Sequence, residues 1–325
     1  MVLVGGYTRL SGSGLSITSW KPIHGIIPPL NEVQWGEEFE AYKATPQYAL
    51  VNKGMTIAEF QTIFWPEFYH RVLGRVIGIV FLLPLLFFTA RRSISSGFFW
   101  SLTGIFVLGG LQGAIGWIMV KSGLSDMPYV NPLKLALHLS TAFAIFALIL
   151  WAFLDILVAS EKKEKNIISN QQLATRNNKI LTTYHFFLAL LALQIILGAL
   201  VAGSHAGLIY NTWPSMNGEF LPAGIFASPL MENLGFIQFL HRTLAIFVAF
   251  SFLTWWFISR KLVKENGLNK TCAAVYSVIL IQFMLGVSTL IMQVPLNLAL
   301  SHQINALLLW GLAIYLWHRL SSIRS

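Results

Sequence analysis

The sequence predicts an all-α membrane protein, a duplicated four-helix transmembrane bundle with eight spans in full and the first one truncated. Three observations carry this reading. Hydrophobic residues make up 55% of the chain and charged residues only 11%, too little charge to cover a water-soluble globule. Apolar stretches of the roughly 20 residues needed to cross hydrocarbon run near 68–90, 97–120, 133–158, 180–203, 236–259, 271–293 and 299–318. Four histidines recur in matched settings: His70 in Glu67-Phe68-Tyr69-His70-Arg71 returns as His241 in Gln238-Phe239-Leu240-His241-Arg242, and His138 in Leu137-His138-Leu139-Ser140 returns as His302 in Ser301-His302-Gln303.

The seven stretches are continuous rather than alternating, so they read as helices, which satisfy their own backbone hydrogen bonds in lipid. Cationic residues orient them. Arg91 and Arg92, the Lys162 to Lys179 group, Arg260 to Lys270, and Arg319 with Arg324 all fall on one side, the cytoplasmic side by the positive-inside rule. The net charge of +9 is therefore a topology signal split among short loops, and it argues against nucleic-acid binding. The opposite side carries the two longest hydrophilic segments, 7–66 and 204–235, and all four paired histidines. Cys272 is the single cysteine, which excludes an internal disulfide, and Met1-Val2-Leu3-Val4 is too short for the apolar core of a signal peptide.

Leu111-Gln112-Gly113-Ala114-Ile115-Gly116 matches Ile281-Gln282-Phe283-Met284-Leu285-Gly286, and internal symmetry of this kind is common in membrane folds. Val4-Gly5-Gly6, Gly14-Leu15 and Trp20 resemble Val201-Ala202-Gly203, Gly207-Leu208 and Trp213 at an offset of about 195. In the second half a full helix from about Lys179 leads into that segment, whereas the first half has only a stub after Met1; a protein beginning about twenty residues upstream is the expectation. The halves are 1–160 and 179–325, joined by a cytoplasmic linker at 161–178.

Imidazole suits haem iron because its neutral nitrogen donates without carrying charge into low dielectric. A histidine on the second helix of each half facing one on the fourth would clamp a haem within the bundle. Zinc is the competing reading, but two ligands per half without cysteine or a second carboxylate fall short of a closed site. Arg71 and Arg242, each beside a candidate ligand, suit haem propionates or interfacial anchoring equally. Glu67, three residues before His70, suits proton relay or substrate holding; the alternative is a solvated first-turn acid complementing the helix dipole. The other half carries Gln238 there, which favours a function. His24, His205, His185 and His318 lack repeat partners and read as loop or snorkelling residues.

Gly5-Gly6-Tyr7-Thr8-Arg9-Leu10-Ser11-Gly12-Ser13-Gly14-Leu15-Ser16, Trp20-Lys21-Pro22-Ile23-His24-Gly25 with Pro28-Pro29, Glu67 to Gly74, Tyr210-Asn211-Thr212-Trp213-Pro214, Gln238 to Arg242 and His302-Gln303 together resemble the haem A synthase family in its alphaproteobacterial and mitochondrial form, over nearly the whole chain. The resemblance implies oxidation of the C8 methyl group of haem O to the formyl group of haem A for cytochrome oxidase. It implies a resident haem b on His241 and His302, and a substrate haem O site formed by His70 and His138 with Glu67. It also implies an eight-helix, multi-pass protein of the bacterial inner membrane, supplied by a haem O synthase. The electron donor and any homo-oligomer stay open. A cysteine pair found in another branch of the family is missing here. The rivals are a non-catalytic b-type cytochrome and a haem carrier, neither of which accounts for the Glu67/Gln238 difference.

Overall fold

The computed structural model describes residues 1–21, 25–125, 127–162, 171–229 and 232–322. Ten α-helices occur among them: α1 (Val2–Leu10), α2 (Glu32–Lys43), α3 (Pro46–Leu50), α4 (Ile57–Ala90), α5 (Ser96–Gly123), α6 (Pro132–Lys162), α7 (Gln171–Gly203), α8 (Leu234–Glu265), α9 (Asn269–Ile291) and α10 (Leu296–Ser322). Seven of these, α4 to α10, are long and apolar enough to cross a membrane, and the protein is an all-helical, multi-pass membrane protein. Within the expected linker at 161–178, helix α6 runs to Lys162 and α7 starts at Gln171; residues 163–170 lie outside the described residues.

The chain divides into two compact units, Met1–Ala142 and Phe143–Ser325. In the first, α4 is the central element, with α1, α2 and α5 packed along it. In the second, α7 pairs with α8 and α9 with α10, while α8 also packs on α9. The core of this unit is aromatic and aliphatic: Tyr184, Phe187, Phe252, Trp255, Val275 and Leu316 are buried together. Two buried polar groups there are answered by main-chain carbonyls, Tyr184 Oη donating to Ala313 and Trp255 Nε1 to Ile180, as hydrogen-bonding groups in an apolar interior require. Large apolar side chains such as Leu83, Phe87, Phe250 and Phe257 point outward from the spans, the faces that hydrocarbon covers.

The first span corrects the sequence expectation. Helix α4 begins at Ile57, well before residue 68, and its start is fixed by a capping box in which Thr56 accepts from the Glu59 N–H and Glu59 accepts from the Thr56 N–H. The Thr-x-x-Glu signal is present at 56–59, but Pro66 and the mixed polarity of 57–67 hide a helix that runs through them. Glu67 is consequently not a first-turn acid. It lies in the third turn and is 2% exposed.

The expected outer hydrophilic segment is also more structured than its composition suggests. Helices α2 and α3 fold onto the early turns of α4 around Ile17, Tyr42, Phe60, Ile63, Phe64 and Phe68, with Trp35, Phe39 and Tyr48 against them. Edge-on and tilted ring pairs such as Trp35/Phe64 at 4.9 Å and Tyr42/Phe60 at 5.1 Å add directional contacts to the burial. Phe60 is fully buried there. Phe60→Ala is expected to cost about 3–5 kcal/mol through the cavity it leaves, and limited proteolysis of the detergent-solubilised protein should show earlier cleavage within 30–56 while the spans stay intact.

Candidate functional site

Each of the four paired histidines rests its imidazole on a glycine of a neighbouring helix. His70 on α4 meets Gly5 on α1, His138 on α6 meets Gly116 on α5, His241 on α8 meets Gly198 on α7, and His302 on α10 meets Gly286 on α9. A Cβ at these glycines would stand 2.8, 2.8, 3.0 and 3.0 Å from the imidazole Cε1, inside the range at which carbon atoms pack. Close approach therefore demands glycine at all four places. His70 interacts electrostatically with His138, and His241 with His302, so each half brings its own two imidazoles together.

The Nδ1 atoms of His70, His138, His241 and His302 are all buried with no hydrogen-bond partner. One such unpaired group costs about 1–3 kcal/mol, and it recurs on the same ring atom in all four histidines. Paired neutral imidazoles with a nitrogen to spare fit a flat iron macrocycle held between helices. Among the described residues no three His, Cys, Asp or Glu side chains are grouped as a bare metal ion would need.

The glycines were not singled out as ligand neighbours in the sequence, although a signal was there. A glutamine stands one turn before three of them, at Gln112, Gln194 and Gln282. Two of these fell in the repeat noted above, but the third belongs to the same Gln-x-x-x-Gly pattern. Met1 occupies the corresponding place before Gly5.

Arg71 and Arg242 do the same work in the two halves. Arg71 Nη2 donates to the Ile17 carbonyl at 2.8 Å and Nη1 to Ser19 at 2.9 Å. Arg242 Nη2 donates to Tyr210 at 2.5 Å and Nη1 to Thr212 at 2.9 Å. Each arginine thus clasps the outer loop that follows its half's first helix. The partners are 193 residues apart, as are Gly5/Gly198, Gly14/Gly207 and Trp20/Trp213. The Val4-Gly5-Gly6 match proposed from sequence is therefore out of register by one helical turn. With four N–H groups given to protein acceptors on each side, the guanidinium groups serve mainly as loop anchors.

Glu67 and Gln238 complete the two clasps differently. Glu67 Oε2 accepts from Ser16 Oγ at 2.7 Å and from the Ile17 N–H at 2.9 Å, and Oε1 accepts from Arg71 Nε at 3.1 Å and Nη2 at 2.6 Å. A carboxylate offers about four acceptor positions, and these donors occupy them. Gln238 instead donates Nε2 to Tyr210 O at 3.2 Å and accepts from Arg242 Nη2 at 3.3 Å. The first clasp is a buried neutral ion pair and the second keeps a net positive charge.

The remaining histidines separate into three cases. His205 has φ 58° where Gly12, at the same offset of 193, has φ 71°, so it occupies a left-handed corner that both halves need. His318 is buried rather than superficial, and its Nε2 lies 2.8 Å from Asp155 Oδ1, a correction to the snorkelling expectation that sequence could not foresee because Asp155 is 163 residues away. His185 sets its ring edge-on to Trp317 at 5.4 Å. His24 lies outside the described residues.

The chain matches the family model of the COX15-CtaA cytochrome oxidase assembly protein over residues 1–314. It belongs to this family. Among its relatives, a haem A synthase of Nitrosospira multiformis is 42% identical, covering 98% of this chain and 89% of the relative. One from Rhizobium rhizogenes is 46% identical over 98% of this chain and 85% of its own length, and one from Parvibaculum lavamentivorans 41% over 99% and 90%. For this COX15-CtaA chain the arginine clasps make a direct prediction. Arg242→Met should expose the carbonyls of 210, 212 and 215 and speed amide hydrogen exchange across 210–216 roughly tenfold or more, an opening cost of about 1.4 kcal/mol. Arg242→Lys should recover less than half of the protection, because ammonium lacks the planar fork.

Proposed function

We propose that this protein oxidises the C8 methyl group of haem O to the formyl group of haem A for cytochrome oxidase, in the bacterial inner membrane. The observation that carries the proposal is the pair of imidazole clamps, each with orphaned buried nitrogens, in a chain whose relatives are haem A synthases. In this reading His241 and His302 hold a resident haem b, and His70 and His138 hold the substrate haem O delivered by a haem O synthase. Haem supplies the iron chemistry that activating a methyl C–H bond requires and that side chains alone lack.

The chain's own residues would bind, orient and enclose. The glycines Gly5 and Gly116 let both imidazoles of the first half lie flush with the bundle. Arg71 and Glu67 fix the 16–19 loop across the outer end of α4, beside the residue that would meet the substrate. Proton transfer through Glu67 would first have to break its pair with Arg71, so Glu67 acts chiefly as the positioning residue of the substrate half. The test of the reaction is to co-express the protein with a haem O synthase and extract the pigments. Formyl-haem is expected; haem O left unconverted in a preparation that carries haem b would move the protein to the electron-transfer class.

Two substitution sets divide the roles. His241→Ala or His302→Ala should lower haem b per protein roughly tenfold or more. His70→Ala or His138→Ala should keep most of the haem b and make no haem A, and equal haem b loss from both sets would contradict the division. Glu67→Gln presents one amide where the carboxylate accepts from Ser16 and Ile17, so the loop should loosen and conversion fall while haem b stays bound. Normal conversion with normal exchange at Ile17 would remove Glu67 from the mechanism.

A further inference from the structure

Beyond the ligands themselves, the second feature that repeats around the imidazoles is a glutamine. Gln112 Nε2 donates to the main-chain carbonyl of His138 at 2.8 Å. Gln194 Nε2 donates to the carbonyl of His241 at 3.0 Å and lies 3.5 Å from its Nε2. Gln282 Nε2 lies 3.3 Å from His302 Nε2, and its Oε1 accepts from Asn305 Nδ2 at 2.8 Å. Each glutamine stands on the helix against whose glycine the ring packs, one turn before that glycine, and an imidazole that binds iron through one nitrogen depends on the groups around it for its orientation.

We infer that Gln112, Gln194 and Gln282 are positioning residues that orient the ligand imidazoles of His138, His241 and His302. This rests on the haem-ligand reading above. Both imidazoles of the second half are held in this way, as a resident cofactor requires.

The test uses the full-length holoprotein in detergent, with His241→Ala as a control. Gln194→Leu and Gln282→Leu should each speed transfer of haem b to apomyoglobin tenfold or more and shift the low-spin ferric resonance that reports imbalance between ligand planes. Gln112→Leu should leave the haem b signals unchanged while weakening retention of added haem O by a similar factor. Gln194→Glu cannot donate to the His241 carbonyl and should behave as the leucine variant does; it also serves if the leucine variant fails to fold. The inference is overturned if the leucine and glutamate variants match wild type in transfer rate and resonance while His241→Ala loses haem b. If His241→Ala keeps its haem b, the ligand assignment fails instead.

Discussion

The contact of imidazole on glycine is the constraint around which this bundle is organised. It recurs at Gly5/His70, Gly116/His138, Gly198/His241 and Gly286/His302, and in each case a side chain at the glycine would occupy the space the ring now fills. Helix packing in membranes relies on small residues to bring backbones together. Here the same smallness admits an aromatic ring between two helices and leaves one ring nitrogen buried and unmet.

The arginine clasps set the outer boundary of that arrangement. Arg71 and Arg242 reach equivalent carbonyls in the loops that follow α1 and α7, and the loops are thereby drawn over the ends of α4 and α8. In the first half, α2 and α3 add an aromatic cap. The clasps of the two halves are therefore shared down to individual hydrogen bonds, and around them the halves differ at Glu67 against Gln238 and Gly12 against His205.

Sequence made the spans and the ligand histidines legible because both depend on long-range regularity, apolar runs for the first and duplicated contexts for the second. It misplaced the start of α4 because Pro66 and the polar residues around it interrupt the apolar run, although the Thr56/Glu59 box marked the true beginning. It set the first repeat match one turn out because Val-Gly-Gly and Val-Ala-Gly look alike, whereas register is fixed by which glycine faces the histidine. It left the arginines between propionates and interfacial anchoring, because adjacency to a ligand says nothing of the main-chain carbonyls that Arg71 and Arg242 reach. His318 and Asp155 were beyond reach, since a buried pair between distant helices leaves no local pattern.

The Glu67/Gln238 difference has a genetic side. Glutamate and glutamine codons differ only in their first base, so one point mutation after duplication converts a neutral clasp into a cationic one, or the reverse. Arg71 and Arg242 bond main-chain carbonyls of the loop in both halves, so the exchange loosens the loop without releasing it. The two halves of an ancestral symmetric protein could therefore acquire opposite electrostatic surroundings in a single step without passing through an unfolded intermediate.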